Sequence, residues 1–383
     1  MSPEPDPPVR LSVLASFSGA GGVERMLVNL LHGIAALGRE VDLLTIRTDS
    51  PHLAELPDGV RRIDLGARHS RTAVGALARH LRRERPAVLL AAKDRAGRAA
   101  VLARRRAEVP TALALRLGTN LSAAMVHKHP LQRWLRYLPI RRLYPDIEHI
   151  VAVSEGVAAD TVRVARYPRE RISVIRNPVI TPSLAFRAAE PCPHPWFNDA
   201  SRAGTPVIVG AGRLERQKDF PTLLRAFARL RALRLCRLVI LGDGAWRERL
   251  LALAAELGIG DDLHLPGFQS NPYPYLTRAS LFALSSAWEG SPNVLTEALA
   301  LGTPVVATDC PSGPREILDG GRIAPLVPVG DAAAMAAAMA AVLDTPPPPE
   351  RLTAAVDAYR AEVSARAYVA LLDRLAAQAA GRG

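Results

Sequence analysis

Residues 281–309, LFALSSAWEGSPNVLTEALALGTPVVATD, constrain the fold most. They read as strand, loop, helix and strand. Residues 281–285 are an apolar run of strand length and 287–291 a loop. Pro292 suits the first helical position, where its missing N–H costs nothing. The helix continues through Leu295, Glu297 and Leu299, stops at Gly302, and Pro304 leads into a second apolar run at 305–308. Parallel α/β sheets bind ligands just past the carboxyl ends of their strands, where this loop falls. The amides of Asn293, Val294 and Leu295 are expected to be unpaired and to face the loop, and a helix N-terminus of that kind favours an anion, typically phosphate.

The same alternation runs through the second half. Strand patterns at 206–210, 237–241 and 264–265 alternate with helical ones at 221–231, 246–257 and 273–278. That order implies a parallel sheet with helices on both faces. The first half carries strand patterns at 9–17, 41–45, 60–65, 87–91, 111–115, 150–153 and 172–175. A chain of 383 residues suits two domains better than one. The boundaries read as a first domain at 1–182, a linker at 183–204, a second domain at 205–350 and a helical segment at 351–383. The linker assignment rests on clustered prolines and a lost period. Residues 122–138 read as a helix interrupted by Pro130, mixing Trp134 and Leu135 with Lys128, Arg133 and Arg136; it suits either a membrane interface or a helix buried on one side.

Composition narrows the setting. Cys192, Cys236 and Cys310 are far apart and odd in number, which fits a reducing compartment without disulfides. The start, MSPEPDPPVR, does not resemble a signal peptide, and no apolar run reaches about 18 residues. The net charge of +12 is uneven: residues 1–200 hold 30 Lys/Arg against 19 Asp/Glu, and the remainder 19 against 18. An ordinary arginine-rich surface would account for this, and so would an acidic partner such as a lipid surface or a phosphorylated acceptor. No nucleic-acid partner is expected.

Three further places have residues suited to chemistry. In SGAGGVE, Gly21 and Gly22 let the backbone turn and approach a ligand closely, although a tight turn alone would use them as well. In GRLERQKDF at 212–220, Arg213 by its fork and Lys218 as a point charge suit a diphosphate. Glu289 and Glu297 frame the helix start described above. Their spacing alone is weak, because Glu248 and Glu256 share it within one helical pattern; what differs is the Gly-Ser-Pro-Asn turn between strand and helix.

With these motifs the chain resembles the retaining glycosyltransferases of family 4, whose fold is GT-B, two Rossmann-like doubly wound α/β domains facing a cleft. The resemblance covers roughly residues 9–371. It implies that Arg213 and Lys218 meet the donor phosphates, Glu289 the donor sugar hydroxyls and Glu297 the ribose hydroxyls, with Arg213, Lys218 and Glu289 the catalytic set. It places Gly21 and Gly22 toward the donor diphosphate and the acceptor, Gly242 beside the nucleoside, and Phe268 near the base, unless that ring is a core aromatic. CPSGPREIL at 310–318 looks like the loop of enzymes that elongate lipid-linked or surface glycans, as in lipopolysaccharide and polysaccharide biosynthesis. The implied reaction moves a hexose or N-acetylhexosamine from a nucleotide diphosphate sugar, UDP-linked, to such an acceptor. No metal or other cofactor is expected. The implied location is cytoplasmic, peripheral on the inner face of the plasma membrane. In many relatives a histidine lies near the acceptor; here ALRLGTNLS has Gly118 instead, and His127, His129 and His149 have no comparable context, so no general base is assigned. Alternatives are a GT-B nucleotide-sugar epimerase and a non-catalytic sugar-nucleotide-binding partner.

Overall fold

A computed structural model describes residues 11–19, 21–125, 128–198 and 204–381. The acidic start, the first two residues of the expected strand at 9–17, His127 and residues 199–203 lie outside the described residues. The chain forms two compact units, Met1–Pro178 with Ala361–Gly383, and Val179–Arg360.

The first unit contains β1 (Leu11–Phe17), β2 (Val41–Thr48), β3 (Val60–Asp64), β4 (Val88–Ala92), β5 (Ala112–Leu117), β6 (His149–Ala152) and β7 (Ile172–Val174). The second contains β8 (Val207–Ala211), β9 (Arg237–Leu241), β10 (Leu263–Gly267), β11 (Leu281–Leu284), β12 (Val305–Thr308) and β13 (Leu326–Val327). Each unit has one parallel sheet, ordered β3-β2-β1-β4-β5-β6-β7 and β10-β9-β8-β11-β12-β13. Both are the doubly wound order in which the winding reverses beside the first strand. Ligand crevices therefore open at the carboxyl ends of β1 and β4 in one unit and of β8 and β11 in the other.

The central strands are short and largely apolar because helices cover both faces of each sheet, while the edge strand β3, VRRID, is polar and part-exposed. Successive side chains alternate between two cores. Leu14, Leu89, Leu113 and Ile150 enter one, while Val13, Leu90, Ala114 and Val151 enter the other. In the second unit Val209, Val239 and Phe282 oppose Ile208, Leu238 and Leu281 in the same way. The last helix, Ala361–Ala380, packs Tyr368 and Leu372 into a core of the first unit. Its approach requires Gly33, where a Cβ would lie 2.7 Å from the Ala365 Cβ.

Several sequence expectations are corrected. Residues 183–204 are not a free linker: Ser183–Ala188 is a helix, and Leu184, Ala188 and Cys192 are buried in a core of the second unit. Six helical residues between prolines are too few for a period to show. The boundary falls after Pro178 rather than 182, and the second unit extends to Arg360 rather than 350. The final stretch is broken into Pro349–Ala354, the turn Asp357–Tyr359 and Ala361–Ala380; Leu352, Val356 and Tyr359 stay with the second unit. The helix expected at 122–138 is Pro130–Leu143, since Pro130 suits a first position, and Pro139 is accommodated inside it.

Candidate functional site

The second unit assembles its site where β8 and β11 diverge. Two loops, those after β8 and β9, meet there through glycines in backbone conformations that side chains disfavour. Gly242 has φ +140°, and a Cβ on it would lie 2.0 Å from the Gly212 carbonyl oxygen. Gly244, at φ +156°, similarly faces the Leu214 carbonyl oxygen at 2.6 Å. At Gly212 a Cβ would lie 2.7 Å from Lys218 Cε. The glycines thus let the loops after β8 and β9 touch, and let the Lys218 stem lie against the backbone.

Lys218 Nζ donates to Glu289 Oε1 at 2.6 Å, and Ser286 Oγ donates to the same oxygen at 2.6 Å. Gln217 Nε2 donates to the Trp288 carbonyl at 3.0 Å and lies 3.4 Å from Glu289 Oε2. Ser285 Oγ donates to the Lys218 carbonyl at 2.7 Å, and the Ala287 N–H to the Gln217 carbonyl at 2.8 Å. The loops after β8 and β11 are stitched into one surface with a nearly buried ion pair at its centre. Beside it, the Cys310 thiol is pushed up to about 12, first by burial and then by the Glu289 charge.

Burial separates the two glutamate pairs that sequence spacing could not. Glu289 is 6% exposed and Glu297 2%, whereas Glu248 and Glu256 are both exposed. Carboxylates are almost never fully buried unless paired. Glu297 lies on Asn293–Ala300, which starts one residue later than expected, with Pro292 as its cap. The turn before it packs on the 310–318 loop: Gly313 has φ +83°, and a Cβ there would meet Pro292 Cδ at 2.7 Å.

Other expected residues stand differently. The Leu295 amide is not unpaired; it donates to the Pro292 carbonyl at 3.1 Å, because the helix begins with a tight turn. The Arg213 side chain is 73% exposed and pairs with Glu215 at 2.9 Å instead of lying with Lys218. Phe268, 53% exposed just past β10, is no core aromatic. Gly21 caps the first helix, Gly22–Ala36, with an ordinary φ of −77°; a Cβ on it would lie 3.1 Å from Glu24 Oε2. Gly21 and Gly22 belong to the first unit and the remaining site residues to the second. His149 begins β6, away from the strand's carboxyl end, and shares a 2.8 Å hydrogen bond with Ser173 Oγ; burial lowers its pKa to about 4. The exposed His129 accepts from the Leu131 N–H at 3.3 Å and caps its own helix. Ser286 and Gln217 escaped sequence reasoning, since a serine and a glutamine in loops carry no signal until the loops are brought together.

Residues 197–358 match the family of glycosyl transferases group 1, and residues 21–178 match the glycosyl transferase 4-like domain. Together the matches take in most of both units. The fold is GT-B, and the two matches support a glycosyltransferase. Over 190 residues it is 34% identical to the N-acetylgalactosamine-N,N'-diacetylbacillosaminyl-diphospho-undecaprenol 4-alpha-N-acetylgalactosaminyltransferase of Campylobacter jejuni, covering 50% of this chain and 49% of that one. The chain thus spans about half the length of that relative. It is 29% identical over 370 residues to the lipopolysaccharide core biosynthesis glycosyltransferase LpsD of Rhizobium meliloti, covering 94% of this chain and 96% of that one. Among solved structures, Anabaena Alr3699/HepE in complex with UDP and glucose superposes with a TM-score of 0.70 at 18% identity, over 98% of this chain and 100% of the other. In this GT-B fold, the paired Lys218 and Glu289 lie at the crevice where the second sheet reverses.

Proposed function

We propose that this protein is a retaining glycosyltransferase that moves a hexose or N-acetylhexosamine from a UDP-linked sugar to a lipid-linked or surface glycan. The observation that carries the reading is the Lys218–Glu289 pair, held by Ser286 at the carboxyl ends of β8 and β11. An ammonium has three donors, and Glu289 takes one. The others suit the oxygens of a leaving diphosphate. Glu289 Oε2 then faces sugar hydroxyls, Glu297 the ribose, and Arg213, exposed on its loop, swings to the phosphates as the donor enters. Gly242, Phe268 and the start of Asn293–Ala300 complete the donor site.

In the reaction the bond from the sugar anomeric carbon to the diphosphate oxygen breaks. A bond to the acceptor hydroxyl oxygen forms on the same face, and the acceptor proton passes to the leaving diphosphate. Preorganised positive groups lower the barrier by stabilising the charge that develops there. No histidine base is required, and no metal is invoked.

The acceptor's setting is read from the helix Pro130–Leu143. Leu131, Trp134, Leu135 and Leu138 are all exposed. Their spacing of three and four residues makes one apolar stripe, with Lys128, Arg133, Arg141 and Arg142 nearby. Of the two readings open from sequence, this exposure favours contact with an anionic membrane interface. The contact in this reading is peripheral, on the cytoplasmic face; no helix among the described residues is long and apolar enough to cross a membrane. Incubation with a panel of nucleotide sugars tests the reading. A transferase releases UDP slowly by donor hydrolysis. An epimerase returns an altered nucleotide sugar without acceptor, and a binding partner turns nothing over.

A further inference from the structure

The first unit has a pocket of about 870 Å³ at the carboxyl ends of β1, β2, β4 and β5. Arg116, the last residue but one of β5, lines it and is 2% exposed. Its Nη2 donates to Asn177 Oδ1 at 2.7 Å, but its buried Nε and Nη1 have no hydrogen-bond partner. The Tyr368 phenol lies within hydrogen-bonding reach of the guanidinium and partly offsets the burial that lowers the arginine's pKa, but it carries no charge. A buried cation without an anion is expensive, and buried charges are ordinarily paired.

Gly118 explains how the guanidinium fits. A Cβ there would lie 2.8 Å from Arg116 Nη1 and 3.3 Å from Nη2. Any side chain at 118, histidine included, would displace the arginine. The glycine in ALRLGTNLS therefore goes with Arg116 and exchanges one polar group at this edge for another.

The rest of the lining agrees in charge. Lys93 is engaged by Glu24, and Arg98 and Arg136 by Asp94. Arg68, Arg71 and Arg95 line the same pocket and have no carboxylate partner among the described residues. One buried cation and three unneutralised ones suit a multiply charged group better than a single carboxylate. We propose that this pocket binds a phosphate or diphosphate group of the acceptor, with Arg116 as its buried donor. The inference rests on the transferase reading above and deepens it: the acceptor is a phosphorylated one. Two sources share this chemistry, a prenyl diphosphate carrier and a phosphorylated glycan.

The test is calorimetric titration of the full chain with inorganic pyrophosphate while UDP saturates the donor site. One further site is expected. Its affinity should fall about tenfold or more in Arg116→Met, the factor expected for hydrogen bonds to a charged group. Without anion, Arg116→Met should melt no lower than wild type, because it removes an uncompensated buried charge; a merely structural arginine would melt lower. Should that variant not fold, Gly118→Ala and the exposed Arg95→Ala must each weaken pyrophosphate binding. Farnesyl diphosphate binding more tightly than pyrophosphate identifies the lipid carrier, and equal binding the phosphorylated glycan. If UDP binds but pyrophosphate does not, or binds equally in all variants, this inference falls alone. If UDP does not bind, the transferase reading itself falls.

Discussion

The family resemblance gives Lys218 and Glu289 separate tasks, one on the phosphates and one on the sugar, but the structure joins them at 2.6 Å. Their side chains are only 16% and 7% exposed. Removing one partner from a buried pair leaves an uncompensated charge, at a cost of about 3–5 kcal/mol. The residual exposure of Lys218 puts this site near the lower end. Lys218→Ala therefore loses its own contact to the developing charge, on the order of 100-fold in rate. It also leaves Glu289 with Ser286 and a long contact to Gln217, so the carboxylate moves. Glu289→Gln should cost a similar factor by releasing the ammonium. Because the two act as a unit, the double variant should be no more than about tenfold worse than the worse single. Independent groups would multiply to roughly 10⁴-fold. The assay is kcat/KM for UDP release with saturating acceptor in all four proteins. Multiplied losses in the double variant would refute the coupling.

Glu297→Gln should raise the donor KM or slow turnover while Glu248→Gln, on an exposed helix surface, behaves as wild type; equal kinetics would remove Glu297 from the site. EDTA should leave transfer largely intact, and activity abolished by EDTA and restored by manganese would contradict the metal-free mechanism. The full chain should cosediment with anionic but not neutral liposomes and be released by salt near 1 M. Each basic residue near an anionic surface contributes about 1 kcal/mol, screened within about 10 Å at 0.1 M salt. Trp134→Glu with Leu138→Glu should abolish this binding, and undiminished cosedimentation would return the stripe to ordinary surface.

Most strands were legible because strands covered on both faces are apolar runs followed by a helical period; the two-residue β13 was too short to show, and β2 reaches β3 through only the turn Pro51–Glu55. Residues 281–309 showed their strand, loop and helix almost to the residue. What the sequence concealed depends on contacts between distant segments. Ser183–Ala188 is too short to show a period, and the buried Cys192 looked like part of a proline-rich linker. The helix Pro130–Leu143 has an apolar stripe, but only the structure decides which way it faces. At the site, Glu289 and Glu297 could be singled out by the turn between them, yet Glu248 and Glu256 show that spacing alone does not suffice. Ser286, Gln217 and the Arg116–Gly118 pair acquire meaning only once loops from different strands touch.

The account's central claim is retaining transfer from a nucleotide sugar bound at the β8–β11 crevice. Proton NMR of the sugar, recorded within the first minutes of reaction with an α-linked UDP-sugar, tests it most directly. The account predicts an α-configured product in wild type and its near-absence in Lys218→Ala. A β-configured first product, or a sugar still attached to UDP but altered at a ring carbon, would contradict it.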